Sequence, residues 1–552
     1  MTLRDRRSWA WLPGRLRFRV LGLIDVVALW ALVAVLTGAG AWWGIGSYRH
    51  HRDYCTAGQE LRRTGPDGEC IGVTARAYPF APGLRDVLGR IATENTAART
   101  SGRPVVSVAV VMPFTANHPG AAMSEELIRH SLQGAYVAQH AHNHGPATAD
   151  TAVQLLFANV GEDLGHWRTV TDELAARSAA GTVAPVVAAI GFPNSDTRTL
   201  DSVRKGLAPA HIPAVSAVLS SRDMESPYLF KVSPSTDQLV DALKRYVSAN
   251  GVDRDRTFMV ADSREDNYVT NLRDVFRREF GAAYGITDDA VDRRIEYYRG
   301  IKGPAAGTPQ IFRRAVSGMC ADGTRTVFFA GRDADLPPFL RTIDSISSCD
   351  RAAGEEPLRI LRVSTGRDPV TETKGLKELA DRDGIEIVTA AAVDAPRWRA
   401  GRGRDEQVPK AFGAFARAYD GSFTKEPRDA LNDGYAVMFH DALTAVGTAV
   451  AAVTDNGVPA VGKDDVHGEL GRGSPLGHCA ATCVPGAGGV FTFADEDATG
   501  SSKEHGTPGE RASGLWPVCK PVPVVTFPEE RRDRSPLYRT YQKPGTKTCP
   551  LP

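Results

Sequence analysis

Val186-Val187-Ala188-Ala189-Ile190-Gly191-Phe192-Pro193-Asn194-Ser195-Asp196-Thr197 reads as a buried strand that runs straight into a tight turn. Five apolar residues in succession, three of them β-branched, suit a strand covered on both faces. Gly, Pro and Asn then break the run. A helix-like segment follows from Thr199 to Ala208, then a short strand, Ile212-Pro213-Ala214-Val215-Ser216, the polar pair Ser220-Ser221, and Tyr228-Leu229-Phe230-Lys231-Val232-Ser233-Pro234. Strand, turn, helix, strand is an α/β unit, and such units expose their ligand-facing positions at the carboxyl ends of the strands. A strand ending in Gly-x-x-x-Ser can offer backbone N–H groups and a hydroxyl to a small anionic or zwitterionic group.

The same rhythm extends outward from this unit. Upstream lie the strand Pro104 to Pro113, a helix from Ser124 to Ala141 with Leu127, Leu132, Ala135, Tyr136 and Val137 on its core face, the strand Val153 to Asn159, and a helix from Trp167 to Ser178. This alternation calls for a parallel sheet covered on both faces. After Pro234 it restarts, with strands at Thr257 to Ala261, Ile295 to Tyr298, Thr326 to Ala330, Arg359 to Val363 and Ile385 to Val388. Helices fit between them at Val269 to Phe280, Pro309 to Met319, Leu336 to Ser345 and Lys374 to Asp381, which makes a second α/β sheet. A long helix from Asp429 to Val453 carries Tyr435, Phe439, Leu443, Val446 and Val450 at core spacing. Val490 to Phe493 and Val522 to Phe527 read as late strands among Pro/Gly-rich connections.

At 552 residues the chain is too long for one core. A formal net charge of +1 gives no basic face of the kind nucleic-acid binding needs. Six arginines (Arg4, Arg6, Arg7, Arg15, Arg17, Arg19) precede an uncharged apolar run from Val26 to Gly46. About 20 apolar residues span a bilayer as a helix, and flanking arginines stay cytoplasmic. The length of the run favours an uncleaved single-pass anchor with everything after Tyr48 outside, and Ala39-Gly40-Ala41, which resembles a small-residue cleavage site, leaves a cleaved signal peptide as the alternative. All eight cysteines follow this run: Cys55, Cys70, Cys320, Cys349, Cys479, Cys483, Cys519 and Cys549. An even number outside the cytoplasm reads as disulfides, and neighbour pairing (55–70, 320–349, 479–483, 519–549) is the simplest map.

The ordered set of segments resembles the type 1 periplasmic solute-binding proteins, the leucine/isoleucine/valine-binding family of ABC importers. The resemblance rests on the Val186 to Pro234 unit, on Val108 to Gly145, on Asp262 to Phe280, and on Asn432-Asp433-Gly434-Tyr435-Ala436-Val437, and covers most of residues 104–530. It implies two Rossmann-like lobes joined by three hinge crossings, placed near Ser233, Val393 and Gly488. The expected organisation is a cytoplasmic 1–22, an anchor 23–46, an extracytoplasmic stalk 47–103, a first lobe of 104–234 with 393–488, a second of 235–392 with 489–530, and a tail 531–552. It further implies a cleft between the lobes in which Ser195, Ser220 and the Leu219 backbone hold a ligand's charged groups from the first lobe. Asp266, Tyr268 and Arg332 would face them from the second, Asp266 standing where an aromatic residue is usual. The implied role is capture of a small amino-acid-like solute for an ABC permease or a sensory membrane protein, with no cofactor and no catalysis. Phe192, Pro193 and Asp266 depart from the expected pattern, and they motivate the alternative of a two-lobed scaffold for protein contact that has lost its ligand.

Other motifs carry less. His130 and the run His140-Ala141-His142-Asn143-His144 suggest a metal, but a helix ending near Ala141 would splay the run around its end, and no metal site is expected. Gly457 to Lys463 matches a phosphate-binding loop by spacing, yet Asp464 stands where Ser or Thr should ligate magnesium, and a helix precedes it. No nucleophile elbow or zinc-protease signature occurs.

Overall fold

The computed structural model describes residues 29–37, 53–56, 58–65, 68–116, 121–145, 150–286, 294–301, 307–346, 349, 356–366, 375, 378, 384–401, 408–458, 460–472, 483–494, 516–528 and 538–540. The chain divides into two compact units, Met1–Cys70 and Ile71–Pro552. In the first, residues 29–37 form a helix whose apolar side chains are exposed, Trp30 at 69% and Leu36 at 62%. The rest of the expected 23–46 anchor lies outside the described residues. Strand β1 (Leu61–Thr64) and the Cys55–Cys70 disulfide complete what is described of this unit.

The second unit is built on two sheets. Strands β2 (Glu69–Thr74), β3 (Val105–Met112), β4 (Ala152–Asn159), β5 (Val186–Gly191), β6 (Ala214–Ser216) and β7 (Leu229–Lys231) lie in the order β2-β4-β3-β5-β6-β7. All are parallel except β2, whose Gly72–Thr74 end pairs antiparallel with Asn159–Phe157. Successive side chains point to opposite faces, so Val106, Val108, Val110 and Met112 enter one core while Ala109 and Val111 enter another. Strands β8 (Thr257–Asp262), β9 (Ile295–Tyr298), β10 (Thr326–Ala330), β11 (Leu358–Ser364) and β12 (Ile385–Ala391) make the second, parallel sheet. Phe328 and Ala330 pack on one side of it, and Val327 and Phe329 on the other. A small antiparallel sheet of β13 (Val484–Gly486), β14 (Gly489–Ala494) and β15 (Trp516–Val518) lays Val484, Phe491 and Phe493 on the first sheet's core. Strand β16 (Val524–Phe527) then joins the second sheet antiparallel to β12.

Three segments differ from the sequence expectation. Residues 47–103, expected as a stalk, contain β2 and the Arg85–Thr100 helix, both packed on the first sheet's cores. Residues 489–494 of β14 pack on the first sheet's core, and the chain reaches the second sheet only after Val518, because Asp441 holds the Gly488 turn by accepting its backbone N–H at 3.1 Å. The Glu125–His144 helix runs three residues beyond Ala141. The Tyr435–Asp455 helix is the one helix among the described residues both long and apolar enough to cross a membrane, and it is largely buried in the first core. It packs against Gly134 so closely that a Cβ there would sit 1.9 Å from the Ala436 carbonyl oxygen.

The disulfides Cys55–Cys70 and Cys320–Cys349 form as expected. Cys483 and Cys519 are disulfide-bonded as well; Cys479 and Cys549 lie outside the described residues. Between β15 and β16 a fully buried ion pair, Lys520 Nζ to Asp441 at 2.7 Å, also ties in the Val232 carbonyl at 2.9 Å. Burial by itself would push the Asp441 carboxyl up, but the Lys520 ammonium and His440 hold it below its ordinary range.

Candidate functional site

Strand β5 ends at Gly191, whose φ of +110° suits glycine and whose Cβ would lie 2.7 Å from the Val111 carbonyl. Phe192 follows at φ +49°, donates its N–H to that carbonyl at 3.0 Å, and buries its ring in the core behind the sheet. The turn thereby delivers Pro193, Asn194 and Ser195 to a cleft of about 540 Å³ lined from both sheets. Asp196, not Ser195, caps the Thr197–Asp201 helix, accepting from the Arg198 N–H at 2.8 Å. The Ser195 hydroxyl makes no hydrogen bond among the described residues. Asn194 donates its amide N–H to the Ala122 carbonyl at 2.9 Å, which leaves its buried Oδ1 without a partner among the described residues.

After β6, Ser220 lines the cleft and its hydroxyl accepts from Thr236 Oγ1 at 3.4 Å, where the chain first passes to the second sheet. Leu219 does not line the cleft; its side chain is in the core and its N–H points to Ser216 Oγ at 3.4 Å. From the second sheet come Tyr268 and Arg332. Asp266 caps the Asn267–Phe280 helix through the Val269 N–H at 2.9 Å and pairs with Arg332 at 2.9 Å, so it stands behind the cleft wall. The Arg332 guanidinium lies 5.2 Å over the Tyr268 ring, and its buried Nε has no hydrogen-bond partner among the described residues. Burial disfavours the Arg332 charge, but the Asp266 carboxylate outweighs burial and keeps it firmly cationic. Burial, and then the Asp333 carboxylate, raise the Tyr268 phenol, so Tyr268 is a neutral hydrogen-bonding group. Asp333 is itself committed to Arg362 and to Ser364 at 2.7 Å.

A third wall comes from the start of the Glu125–His144 helix and the residues before Tyr435. Ser124 caps that helix. His130, 3% exposed, meets Asp433 at 2.6 Å through Nδ1, with its buried Nε2 3.8 Å from Glu426. Burial disfavours the imidazolium, yet the Asp433 hydrogen bond and charge prevail and raise its pKa. Across the lips, Asn267 accepts from Thr197 Oγ1 at 3.1 Å, and its backbone carbonyl accepts from Ser221 Oγ at 3.0 Å.

Of the six residues expected at the site, Ser195, Ser220, Tyr268 and Arg332 therefore meet at the cleft, while Asp266 backs Arg332 and Leu219 lies in the core. The sequence reading missed Asn194, His130 and Asp433. An amide beside the serine of a Gly-turn was the available signal for Asn194.

No protein-family model matches the chain, and no curated protein matches it in sequence. Among solved structures it is similar to a solute-binding protein of an ABC transporter from Rhodopseudomonas palustris HaA2, in complex with p-hydroxybenzoic acid: 14% identity, TM-score 0.50, covering 79% of this chain and 95% of that one. Weaker similarities are to an ABC transporter substrate-binding protein from Desulfitobacterium hafniense (14% identity, TM-score 0.48, 79% and 99% covered) and to a leucine-binding protein from Thermotoga maritima (14%, 0.46, 76% and 94%). At such identities the likeness is one of fold: this chain has the two-lobed α/β fold of the type 1 periplasmic solute-binding proteins.

Proposed function

We propose that this chain is an extracytoplasmic, membrane-tethered solute-binding protein that closes its cleft on a small ligand bearing both an amine and a carboxylate. The observation that carries this reading is a cleft lined from both sheets in which two lining residues, Asn194 on the first sheet's side and Arg332 on the second's, each hold a buried polar atom, the acceptor Oδ1 and the donor Nε, without a partner among the described residues. A buried polar atom left unpaired costs about 1–3 kcal/mol. An amino-acid-like zwitterion supplies an N–H to the first and a carboxylate oxygen to the second, with Ser195 and Ser220 adding hydroxyl contacts. The cleft volume is in the range of small-molecule sites.

Binding without turnover fits the lining. His130 is committed to Asp433, and among the described residues no serine or cysteine hydrogen-bonds it. We assign the hinge to the three connections at residues 232–235, 392–394 and 519–523, which lets the lobes rotate about the cleft. Residues 23–46 would anchor the chain, with the exposed apolar helix 29–37 as part of the span, and an ABC permease or a sensory membrane protein would read the closed form.

The test is a thermal-shift screen of the oxidised full chain in detergent against amino acids, aromatic acids, amides, short peptides, purines and sugars. A ligand at 100 times its Kd adds about 2.7 kcal/mol, so the melting temperature should rise with concentration for amino-acid-like compounds. A flat response from folded protein transfers the reading to the ligand-free scaffold.

A further inference from the structure

We propose that Glu94, His140 and His144 form a divalent-metal site suited to zinc, at the end of the first lobe away from the cleft. Because the Glu125–His144 helix continues through His144, His140 and His144 stand one turn apart, on the face that meets Glu94 of the Arg85–Thr100 helix. This corrects the sequence expectation, which ended the helix near Ala141 and so lost the i, i+4 relation. One ligand atom from each of the three residues falls within 4.8 Å of the others. The two imidazole rings have centroids 4.6 Å apart.

The carboxylate is prepared for the task. Glu94 is 6% exposed, and Asn143 Nδ2 donates to its Oε1 at 2.8 Å, fixing the carboxylate plane. His144 Nε2 already lies 2.9 Å and 3.1 Å from its two oxygens. Zinc bonded to imidazole nitrogen and carboxylate oxygen at about 2.0–2.2 Å needs ligand atoms roughly 3.3 Å apart. The His144–Glu94 separation is close to that, and His140, which is exposed, can rotate to close the remainder. Two imidazoles and one carboxylate form the donor set of three-ligand zinc sites, with a fourth position left for water. The metal takes the place of the direct His144–Glu94 contact and staples the two helices together. The site lies about 15 Å along the helix from His130, so this proposal stands or falls independently of the solute-binding reading.

The test uses the oxidised full chain in detergent, stripped with chelator and dialysed against buffered free Zn²⁺, with bound metal counted by mass spectrometry. We expect one Zn²⁺ per wild-type chain and none on His140→Ala or His144→Ala at the same free zinc. Both imidazoles are exposed, so these variants should keep the wild-type circular dichroism, and only the wild-type melting temperature should rise on adding Zn²⁺. A wild-type chain that takes up no zinc overturns the proposal. So does zinc retained in full by both variants.

Discussion

Ser195 and Asp196 are neighbours with separable roles, and substitution can tell them apart. Asp196 caps a helix through the Arg198 N–H, so Asp196→Ala should lower the stability of the unliganded protein by about 1 kcal/mol. The Ser195 hydroxyl bonds nothing among the described residues, so Ser195→Ala should leave urea-unfolding stability unchanged and weaken ligand binding alone. Equal effects of the two on stability would assign Ser195 to the fold. His130 supplies a pH test. Its pKa is raised in the folded state, with burial and Arg129 opposing and Asp433 and Glu126 favouring the charge, and Glu426 nearby at 3.8 Å. A raised folded pKa means that the pair's stabilisation is complete below the unfolded value of about 6.5 and is lost as pH climbs through the folded value. The stability gap between wild type and His130→Gln should therefore be wider near about pH 6 than near about pH 9, read by urea unfolding at each pH. A gap that grows with pH would show that the imidazole is neutral in the fold.

The packing of elements yields two substitutions whose signs run against simple rules. Gly134 lies mid-helix, where Ala is favoured by about 1 kcal/mol. Its missing Cβ makes room for the Ala436 carbonyl, 1.9 Å from where that atom would be, so Gly134→Ala should lower stability, by about 1–3 kcal/mol in thermal or urea unfolding. Lys520→Met leaves Asp441 buried and unpaired and should cost about 3–5 kcal/mol, whereas Lys520→Met with Asp441→Leu should recover much of that loss. If the double variant is no more stable than the single, Gly488 and Val232 depend on the charges themselves. The strands were legible in the sequence because continuous apolar runs of the kind seen in β5 and β10 occur only where both faces are covered. Strand β2 was not, because its central Gly72 weakens the local pattern. The last turn of the Glu125–His144 helix was hidden for a similar reason. His142, Asn143 and His144 are poor helix formers, held by Thr151, Val153 and Glu94 from elsewhere in the fold.

For the molecule as a whole, two sheets flanking one cleft were readable from the alternation of segments; which residues face the cleft was less so. Phe192 reads as a bulky intrusion into the site, yet its positive φ turns it into the core, and the unpartnered Asn194 Oδ1 emerges only from the folded geometry. The Asn267 side chain links the lips, accepting from Thr197 Oγ1 and donating to the Asp223 carboxylate. Asn267→Ala should thus favour the open form and raise the radius of gyration in solution scattering, with ligand reversing the change; an unchanged radius would mean that these contacts do not govern closure. The claim beneath these expectations is that a zwitterionic solute bridges the lobes at Arg332. Calorimetric titration of the best ligand from the screen into wild type and into Arg332→Met tests it most directly. A hydrogen bond to a charged group is worth about 1.5–3 kcal/mol, so the account predicts one site per chain and a Kd weakened by about 10-fold to 150-fold in the variant. An equal Kd in the two proteins would contradict it.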